Sequence, residues 1–299
     1  MPGFITHFLA GRYVINRQPP KIRNLIQENV FNMGALGPDI YFYYPWGTKG
    51  LPSVMHNNNL GLFLVNMAKM CKKNIVLYSY TAGFLVHYCL DMYAHPFIHG
   101  FTYQDGEPYL NNISRHCVLE TTIDTKILKK LTGLTPSDLS LWGLIKIDNA
   151  HRKIISQAVN QAIKNVYNKK VKITDAALRY FMLGNMLLQS DTGITKILLE
   201  KLESFFVKIP LFSAMVHTQE TDDKDYFNMQ KKDWTPPWDR EHIRNESFIE
   251  LFKKAINEAS KMNEALLMYI NDNISISELK KIIGNNSLKT GLDSSISAW

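Results

Sequence analysis

Eight residues of the types that ligate metal ions occur within the first 120 positions of this 299-residue chain. They are His7, Asp39, His56, His87, Asp91, His95, His116 and Glu120. Imidazole nitrogens and carboxylate oxygens are the zinc ligands found in sites that keep a position open for chemistry. The set therefore predicts a zinc or di-metal site in the first part of the chain.

Two of the spacings in this set suit an α-helix. His87, Asp91 and His95 are four residues apart, and so are His116 and Glu120. Residues four apart on a helix lie on the same face, so each motif directs its ligands toward one point. One such pair arises often by chance, whereas two of them together with isolated histidines upstream indicate a shared site.

The helix that carries the first motif is apolar on nearly every side, which is typical of a core helix. A buried and unpaired carboxylate such as Asp91 costs several kcal/mol, so it needs a partner. A hydrogen-bonded pair with His87 would satisfy it, and metal ligation would also explain His95. Because Pro96 disfavours a helix through itself, we expect the helix to end at His95, which could then reach a different ion. His99 is the alternative to His95.

The other candidates are less specific when each is taken alone. His116 with Glu120 could be an exposed pair, and His7, Asp39 and His56 could be caps or core residues. Taken together as a set, these residues support metal ligation more strongly than each does alone. Asp124 extends the second stripe by one turn, either as a partner that orients a ligand or as a solvated acid. Three histidines have no companions and are interpreted as ordinary solvent or packing residues: His151, His217 and His242.

The elements that must position these residues are almost all helices. Apolar spacing of three and four predicts helices over 20–33, 58–71, 74–94, 113–131, 147–168, 174–190, 193–206, 246–271 and 275–284. Residues 95–112 and 208–244 are expected to be irregular, and Pro38 and Pro45 bracket 40–44 as a loop. The segment 208–244 either covers the metal cleft or joins two helical layers.

Composition narrows the class of protein. The net charge is +7 without a dense basic cluster, which argues against a dedicated nucleic-acid surface. Cys71, Cys89 and Cys117 lack CxxC spacing and are expected to be buried thiols. The N-terminus does not look like a signal peptide, and the longest uncharged apolar stretch, 75–90, is shorter than a membrane span of about 20 residues. These features predict a soluble, cytoplasmic protein.

The order of the ligands resembles that of the zinc-dependent phospholipase C family, whose fold is shared with the S1/P1 nucleases. The segments MPGFITHFLAG, GALGPDI, HYCLDMYAHP and HCVLETTID are similar to cytoplasmic-type bacterial members. The resemblance covers about residues 1–130. It implies an all-α, multi-helix bundle with a dinuclear or trinuclear zinc cleft and additional C-terminal helices.

We expect the chain to be divided into three regions. Residues 1–135 would form the zinc-binding helical core, and 136–284 would add helices packed on the same domain. Residues 285–299, rich in Asn and Ser, would be a flexible tail.

A ligand set for each of two or three zinc ions follows from the same resemblance. Asp39, His56, His87 and Asp91 would hold one ion, and His95, His116 and Glu120 a second. His7 and a shared oxygen of Asp91 would hold a third. In secreted relatives an N-terminal Trp also binds that third ion, whereas this chain begins Met1-Pro2, so the third site departs from the pattern.

The implied function is hydrolysis of a phospholipid or another phosphodiester. Zinc lowers the pKa of bound water to about 7, so that a zinc-bound hydroxide would attack phosphorus in line. Asp39 would either ligate zinc or take a proton from the attacking water. A nuclease or nucleotidase, and a metal-binding protein with little turnover, are the alternatives. No stable nucleic-acid complex is expected.

An aromatic run follows Asp39 directly and is a candidate wall of the substrate cleft: Tyr41, Phe42, Tyr43, Tyr44 and Trp46. Aromatic faces suit a quaternary ammonium group and also stack on nucleobases, so they do not decide the substrate. Core packing is the alternative interpretation of this group.

Overall fold

A computed structural model describes residues 3–44, 50–72, 74–171, 174–188, 193–207, 209–218 and 222–296. These residues contain thirteen α-helices and three short 3-10 helices. They form no β-strand, and their only β-type pairings are two isolated bridges. The all-α class predicted from the sequence is confirmed.

The chain begins with α1 (Phe4–Arg17), α2 (Pro20–Arg23), α3 (Glu28–Ala35) and a 3-10 helix (Gly37–Tyr41). Next come α4 (Leu51–Asn57), α5 (Leu60–Cys71), α6 (Ile75–Thr102) and α7 (Tyr109–Thr132). After a 3-10 turn (Pro136–Asp138) follow α8 (Leu141–Ile145), α9 (Asn149–Tyr167), α10 (Thr174–Leu188) and α11 (Ile194–Phe206). A last 3-10 turn (Ser213–Met215) precedes α12 (Phe248–Ile270) and α13 (Ile276–Ile283).

Helix α6 is the central element of the fold. It is 28 residues long and packs against α3, α5, α7 and α12. Two glycines allow α3 and α6 to approach closely, because a Cβ on Gly34 would lie 2.0 Å from the Tyr80 carbonyl oxygen and one on Gly83 would lie 1.9 Å from that of Phe31. The turn that carries Asp39 follows α3 directly and is thereby held against α6.

The prediction that α6 ends at His95 is wrong. The helix continues through Pro96 to Thr102, so most of the expected irregular segment 95–112 is helical. Proline within a helix removes the hydrogen bond to the carbonyl four residues earlier, here that of Met92. Burial of Pro96, Phe97 and Ile98 offsets that loss.

Two other expectations also differ from the structure. The single helix expected over 20–33 is divided into α2 and α3, and residue 27, in extended conformation, donates its N–H to the Ser79 hydroxyl. The aromatic segment 40–44, expected to be a loop, begins as part of the 3-10 helix.

Within residues 285–296, the described part of the predicted tail, the chain contacts the helical core. Leu288 is fully buried, and the N–H of Asn286 donates a hydrogen bond to the Tyr88 hydroxyl oxygen, at 2.7 Å. None of the helices in the described part of the chain is both long enough and apolar enough to cross a membrane.

Candidate metal centre

Four of the predicted ligands come together at the centre of the fold. His87 and Asp91 come from α6, His56 from the last turn of α4, and Asp39 from the 3-10 helix. One ligand atom from each lies within 4.8 Å of the others, and all four residues are buried. We call these four residues the first ligand set.

The spacing of the atoms in the first ligand set suits a tetrahedral ion. His56 Nε2 lies 3.1 Å from Asp39 Oδ1 and 3.8 Å from Asp91 Oδ2. His87 Nε2 lies 3.6 Å from Asp39 Oδ1 and 3.1 Å from Asp91 Oδ2. Ligands at zinc distances of about 2.0–2.2 Å stand roughly 3.3–3.6 Å apart in a tetrahedron. The observed distances bracket that range.

His95, His116 and Glu120 form a second ligand set, with their ligand atoms within 4.8 Å of one another. His116 Nε2 lies 2.8 Å and His95 Nε2 lies 3.8 Å from Glu120 Oε1. His95 reaches this set because eight residues of helix separate it from His87, a rise of about 12 Å. The two sets are therefore separated by their positions along one continuous helix, and the helix does not end between them.

Hydrogen bonds to backbone carbonyls orient three of the histidines. Nδ1 of His56 donates to the Pro52 carbonyl (2.7 Å) and Nδ1 of His87 donates to that of Ala35 (3.1 Å). Nδ1 of His95 donates to the Leu288 carbonyl (2.7 Å). Because a carbonyl only accepts, each Nδ1 carries the proton, and the lone pair of the neutral ring is on Nε2. Metal-binding histidines are oriented in this way.

His7 lies beside the first ligand set. Its ring stacks on that of His87 with centroids 4.2 Å apart, and its Nε2 lies 3.1 Å from Asp91 Oδ1. Neither nitrogen of His7, nor either oxygen of Asp91, makes a hydrogen bond of acceptable geometry, although all four atoms are buried. Buried polar atoms without hydrogen bonds are costly, and coordination of a cation would satisfy them.

The electrostatics of the two sets also suit a cation. Burial by itself would raise the pKa of Asp91, but the charge of His87 beside it holds that pKa well below its ordinary value. Burial lowers the pKa of His95 and of His116 well below the usual range, so both rings are neutral and able to ligate. Burial raises the pKa of Glu120 to about 8, and a bound cation would displace its proton.

Gly37 permits the approach of the Asp39 turn to α6. Its φ is +54°, a left-handed conformation that favours glycine, and a Cβ there would lie 2.3 Å from the His87 ring. Glycine at this position thus lets the 3-10 helix pass over His87 and bring Asp39 to the same point. This close approach explains the second glycine of the GALGPDI segment.

Asp124 is neither solvated nor in contact with the ligand histidines. It is fully buried and accepts hydrogen bonds from the Ile5 and Thr6 N–H groups, the Thr6 hydroxyl and His217 Nε2. Its carboxylate therefore caps the start of α1 and holds the helix that carries His7. His217, interpreted from sequence as an ordinary residue, is buried in this contact; no pattern around it indicated a partner 93 residues away.

The aromatic run after Asp39 is divided between the core and the site. Tyr41 is buried in the core, as in the alternative interpretation, and the rings of Tyr43 and Tyr44 pack on Phe181 and Tyr180 of α10. Phe42 is 43% exposed, with its ring centroid 5.2 Å from that of His56. Trp46 lies outside the described residues.

The described residues of the segment 208–244 contact α6 and α7 near the second ligand set. They are irregular apart from the short 3-10 turn, as predicted. Thr121 donates its hydroxyl to the Ala214 carbonyl (3.0 Å), and the ring of Trp234 lies 5.5 Å from that of Phe97. The ring of Trp238 lies 5.5 Å from that of His99, the neighbour of the second set.

The remaining histidines and the cysteines lie apart from these sets. His151 and His242 contact the nearby surface carboxylates of Asp148 and Asp239. The three cysteines are free: Cys71 and Cys89 are buried, and Cys117 is partly buried. Neither ligand set found among the described residues contains a cysteine.

The structure is thus an all-α fold that brings together two clusters of possible metal ligands. The family model described as zinc-dependent phospholipase C matches residues 6–177, more than half of the chain. The chain belongs to this zinc-dependent phospholipase C family. Searches of curated proteins and of solved structures found no match.

The choice between His95 and His99 leads to a test. The ligand atoms of His95, His116 and Glu120 form one cluster that does not include His99, although the His99 ring centroid lies 4.9 Å from that of His116. We expect His95→Ala to weaken zinc binding at the second set by about 100-fold or more, and His99→Ala to leave the number of bound ions unchanged. Competitive zinc titration measures both, with His151→Ala as a surface control. Loss of zinc in His99→Ala alone would reverse the assignment.

Proposed function

We propose that this chain is a zinc-dependent phosphodiester hydrolase of the phospholipase C type. The observation that carries the proposal is that the two ligand sets are neighbours along α6, where Asp91 lies one helical turn from His87 of the first set and one turn from His95 of the second. Asp91 Oδ2 lies 3.1 Å from His87 Nε2 in the first set and 3.8 Å from His95 Nδ1 in the second. Membership of the family supports phospholipase-like hydrolysis in general terms.

The residues that would hold zinc follow from the two clusters. The first ligand set would hold one ion and the second ligand set another. His7, with Asp91 Oδ1 at 3.1 Å from its Nε2, would contribute to a third. The donor atoms fit because three rings present Nε2 while Nδ1 is held by a carbonyl, as described above.

Bound zinc supplies a water of lowered pKa and positive charge that stabilises the transition state at phosphorus. The protein contributes a site with a buried floor and an accessible edge. The side chains of His87 and Asp91 are completely buried, whereas those of Asp39 and His116 are 10% and 16% exposed. A phosphodiester would therefore approach along the edge formed by Asp39 and His116.

Asp39 is the residue to which we assign proton transfer. Its Oδ1 approaches both His56 Nε2 and His87 Nε2, at 3.1 Å and 3.6 Å, and is the oxygen suited to ligation. The second oxygen of the same carboxylate would then accept a proton from the attacking water. Position at the accessible edge supports this role, since the proton must afterwards pass to solvent.

The substrate class is proposed to be a phospholipid. Phe42 gives the accessible edge an exposed apolar ring next to His56. An apolar group there would contact a lipid better than it would contact water. The family description supports the same class.

Incubation of the zinc-loaded protein with three substrates tests this function. We expect hydrolysis of phosphatidylcholine and of a small soluble aryl phosphodiester, with little cleavage of single-stranded DNA. Preferential cleavage of DNA would favour a nuclease on the same metal frame. Binding of zinc without turnover of any of the three would favour a metal-binding protein.

Trp238 leads to a prediction about substrate size. Because its ring contacts His99 beside the second ligand set, we expect it to contact the lipid but not a small diester. Trp238→Ala should reduce kcat/KM for phosphatidylcholine by about 10-fold, in line with the loss of one aromatic contact, and leave zinc content intact. Hydrolysis of the aryl phosphodiester should change little.

Trp142→Ala is the matched control, because Trp142 is a 53% exposed tryptophan on α8. Equal losses on both substrates for Trp238→Ala, or none on either, would place the segment 208–244 outside the substrate path. It would then be a surface connection between helical layers.

A further inference from the structure

One residue near the C-terminus connects the two ligand sets. The N–H of Leu288 donates to the carbonyl of His56 (2.8 Å), and the carbonyl of Leu288 accepts from Nδ1 of His95 (2.7 Å). We propose that residues 285–292, here called the C-terminal segment, are part of the metal centre, with Leu288 as its positioning residue. The proposal rests on the proposed function, since it concerns the orientation of zinc ligands.

The contact with His56 gives a hydrogen-bond partner to a backbone carbonyl at the end of a short helix. Helix α4 has seven residues, and the last carbonyls of any helix lack partners within it. The His56 carbonyl accepts from the Leu288 N–H and also from the Ser287 hydroxyl (3.2 Å). The C-terminal segment therefore holds the backbone of the ligand itself.

The contact with His95 determines the orientation of its ring. With its proton on Nδ1 and directed at Leu288, the ring presents Nε2 to Glu120 Oε1, 3.8 Å away. A ring released from this carbonyl could rotate or change its tautomer, and the second ligand set would lose its geometry. Groups that orient a ligand in this way typically contribute about 10- to 100-fold to metal affinity.

Proline and glycine residues create the place where the C-terminal segment docks. Pro96 leaves the Met92 carbonyl without its helical partner, and Gly291 approaches that carbonyl closely. The φ of Gly291 is +71°, and a Cβ there would lie 2.6 Å from the Met92 oxygen and 3.5 Å from the Pro96 ring. Ser287, Leu288 and Thr290 are buried as well, which anchors the segment against the helices.

Two full-length variants test the proposal. Gly291→Ala should displace the C-terminal segment, because its left-handed backbone and its contact with Met92 both disfavour a side chain. Ser287→Ala is milder, since it removes one donor to His56 and the hydroxyl that accepts from the N–H of Lys289 (3.1 Å). Ser295→Ala, at an exposed position, is the control.

We expect Gly291→Ala to weaken the second zinc affinity by 10- to 100-fold in competitive titration, Ser287→Ala less, and the control not at all. Long-range ¹H–¹⁵N spectra of the zinc-free proteins supply a readout that a loss of general stability would not move. Wild-type His95 should be the Nδ1–H tautomer, and Gly291→Ala should show a mixture. Far-UV circular dichroism checks that the helices remain.

Unchanged zinc affinities together with an unchanged His95 tautomer in Gly291→Ala would overturn the proposal. An Nε2–H tautomer of His95 in the wild type would also overturn it. If the wild type binds two zinc ions tightly and neither Gly291→Ala nor Ser287→Ala changes the zinc affinities, only the positioning role is refuted. A wild-type protein that binds no zinc would refute the proposed function instead.

Discussion

Replacement of Asp91 by alanine is expected to remove at least one zinc ion per chain and to lower phosphodiester turnover by about 100- to 1,000-fold or more. Asp91 Oδ1 lies 3.1 Å from His7, and Asp91 Oδ2 lies within 3.8 Å of His56, His87 and His95. One carboxylate therefore faces four imidazoles. Its loss would remove the oxygen assigned to the first ligand set and the oxygen beside His7 at once.

The same substitution should also destabilise the fold. Asp91 is completely buried, and removal of one partner from a buried charged cluster costs about 3–5 kcal/mol. For a chain of this size, such a loss should lower the Tm by roughly 5–15 °C. Elemental analysis, a thermal melt and diester hydrolysis measure the three effects.

Asp105→Ala is the control, because the Asp105 side chain is 80% exposed and its partner is a surface arginine. It should leave zinc content, Tm and turnover unchanged. An Asp91→Ala protein with the zinc content and Tm of the wild type would show that Asp91 has no part in metal binding.

Protein purified without chelator should contain at least two zinc ions per chain, and their removal should abolish turnover. Zinc-free protein should melt at a lower temperature, since binding to the folded state alone contributes to its stability. The buried nitrogens of His7 and the oxygens of Asp91 make no hydrogen bonds that could replace coordination. Elemental analysis and melting curves before and after dialysis against chelator measure both effects.

Zinc returned to the dialysed protein should restore the Tm and the activity together. Return of the Tm without activity would separate a structural ion from a catalytic one. Fewer than one transition metal per chain in protein never exposed to chelator would contradict the metal centre.

The spacing of the candidate ligands made one pair in each set predictable. Four-residue intervals on a helix place side chains on one face whatever surrounds the helix, so His87 with Asp91 and His116 with Glu120 could be paired without a structure. The bounds of long amphipathic helices, such as α9 and α12, were also predicted to within about two residues. The continuation of α6 through Pro96 could not be predicted, because the core that compensates for the lost hydrogen bond comes from residues distant in the sequence.

The sequence by itself determined the pairing of candidate ligands along α6 and α7, and the family. Only the tertiary structure decided which groups orient them. The carbonyls of Pro52, Ala35 and Leu288 hold the rings of His56, His87 and His95. Every residue has a carbonyl, so its use leaves no signal in the sequence. The contact from Leu288 to His95 spans 193 positions, and only packing brings the two together.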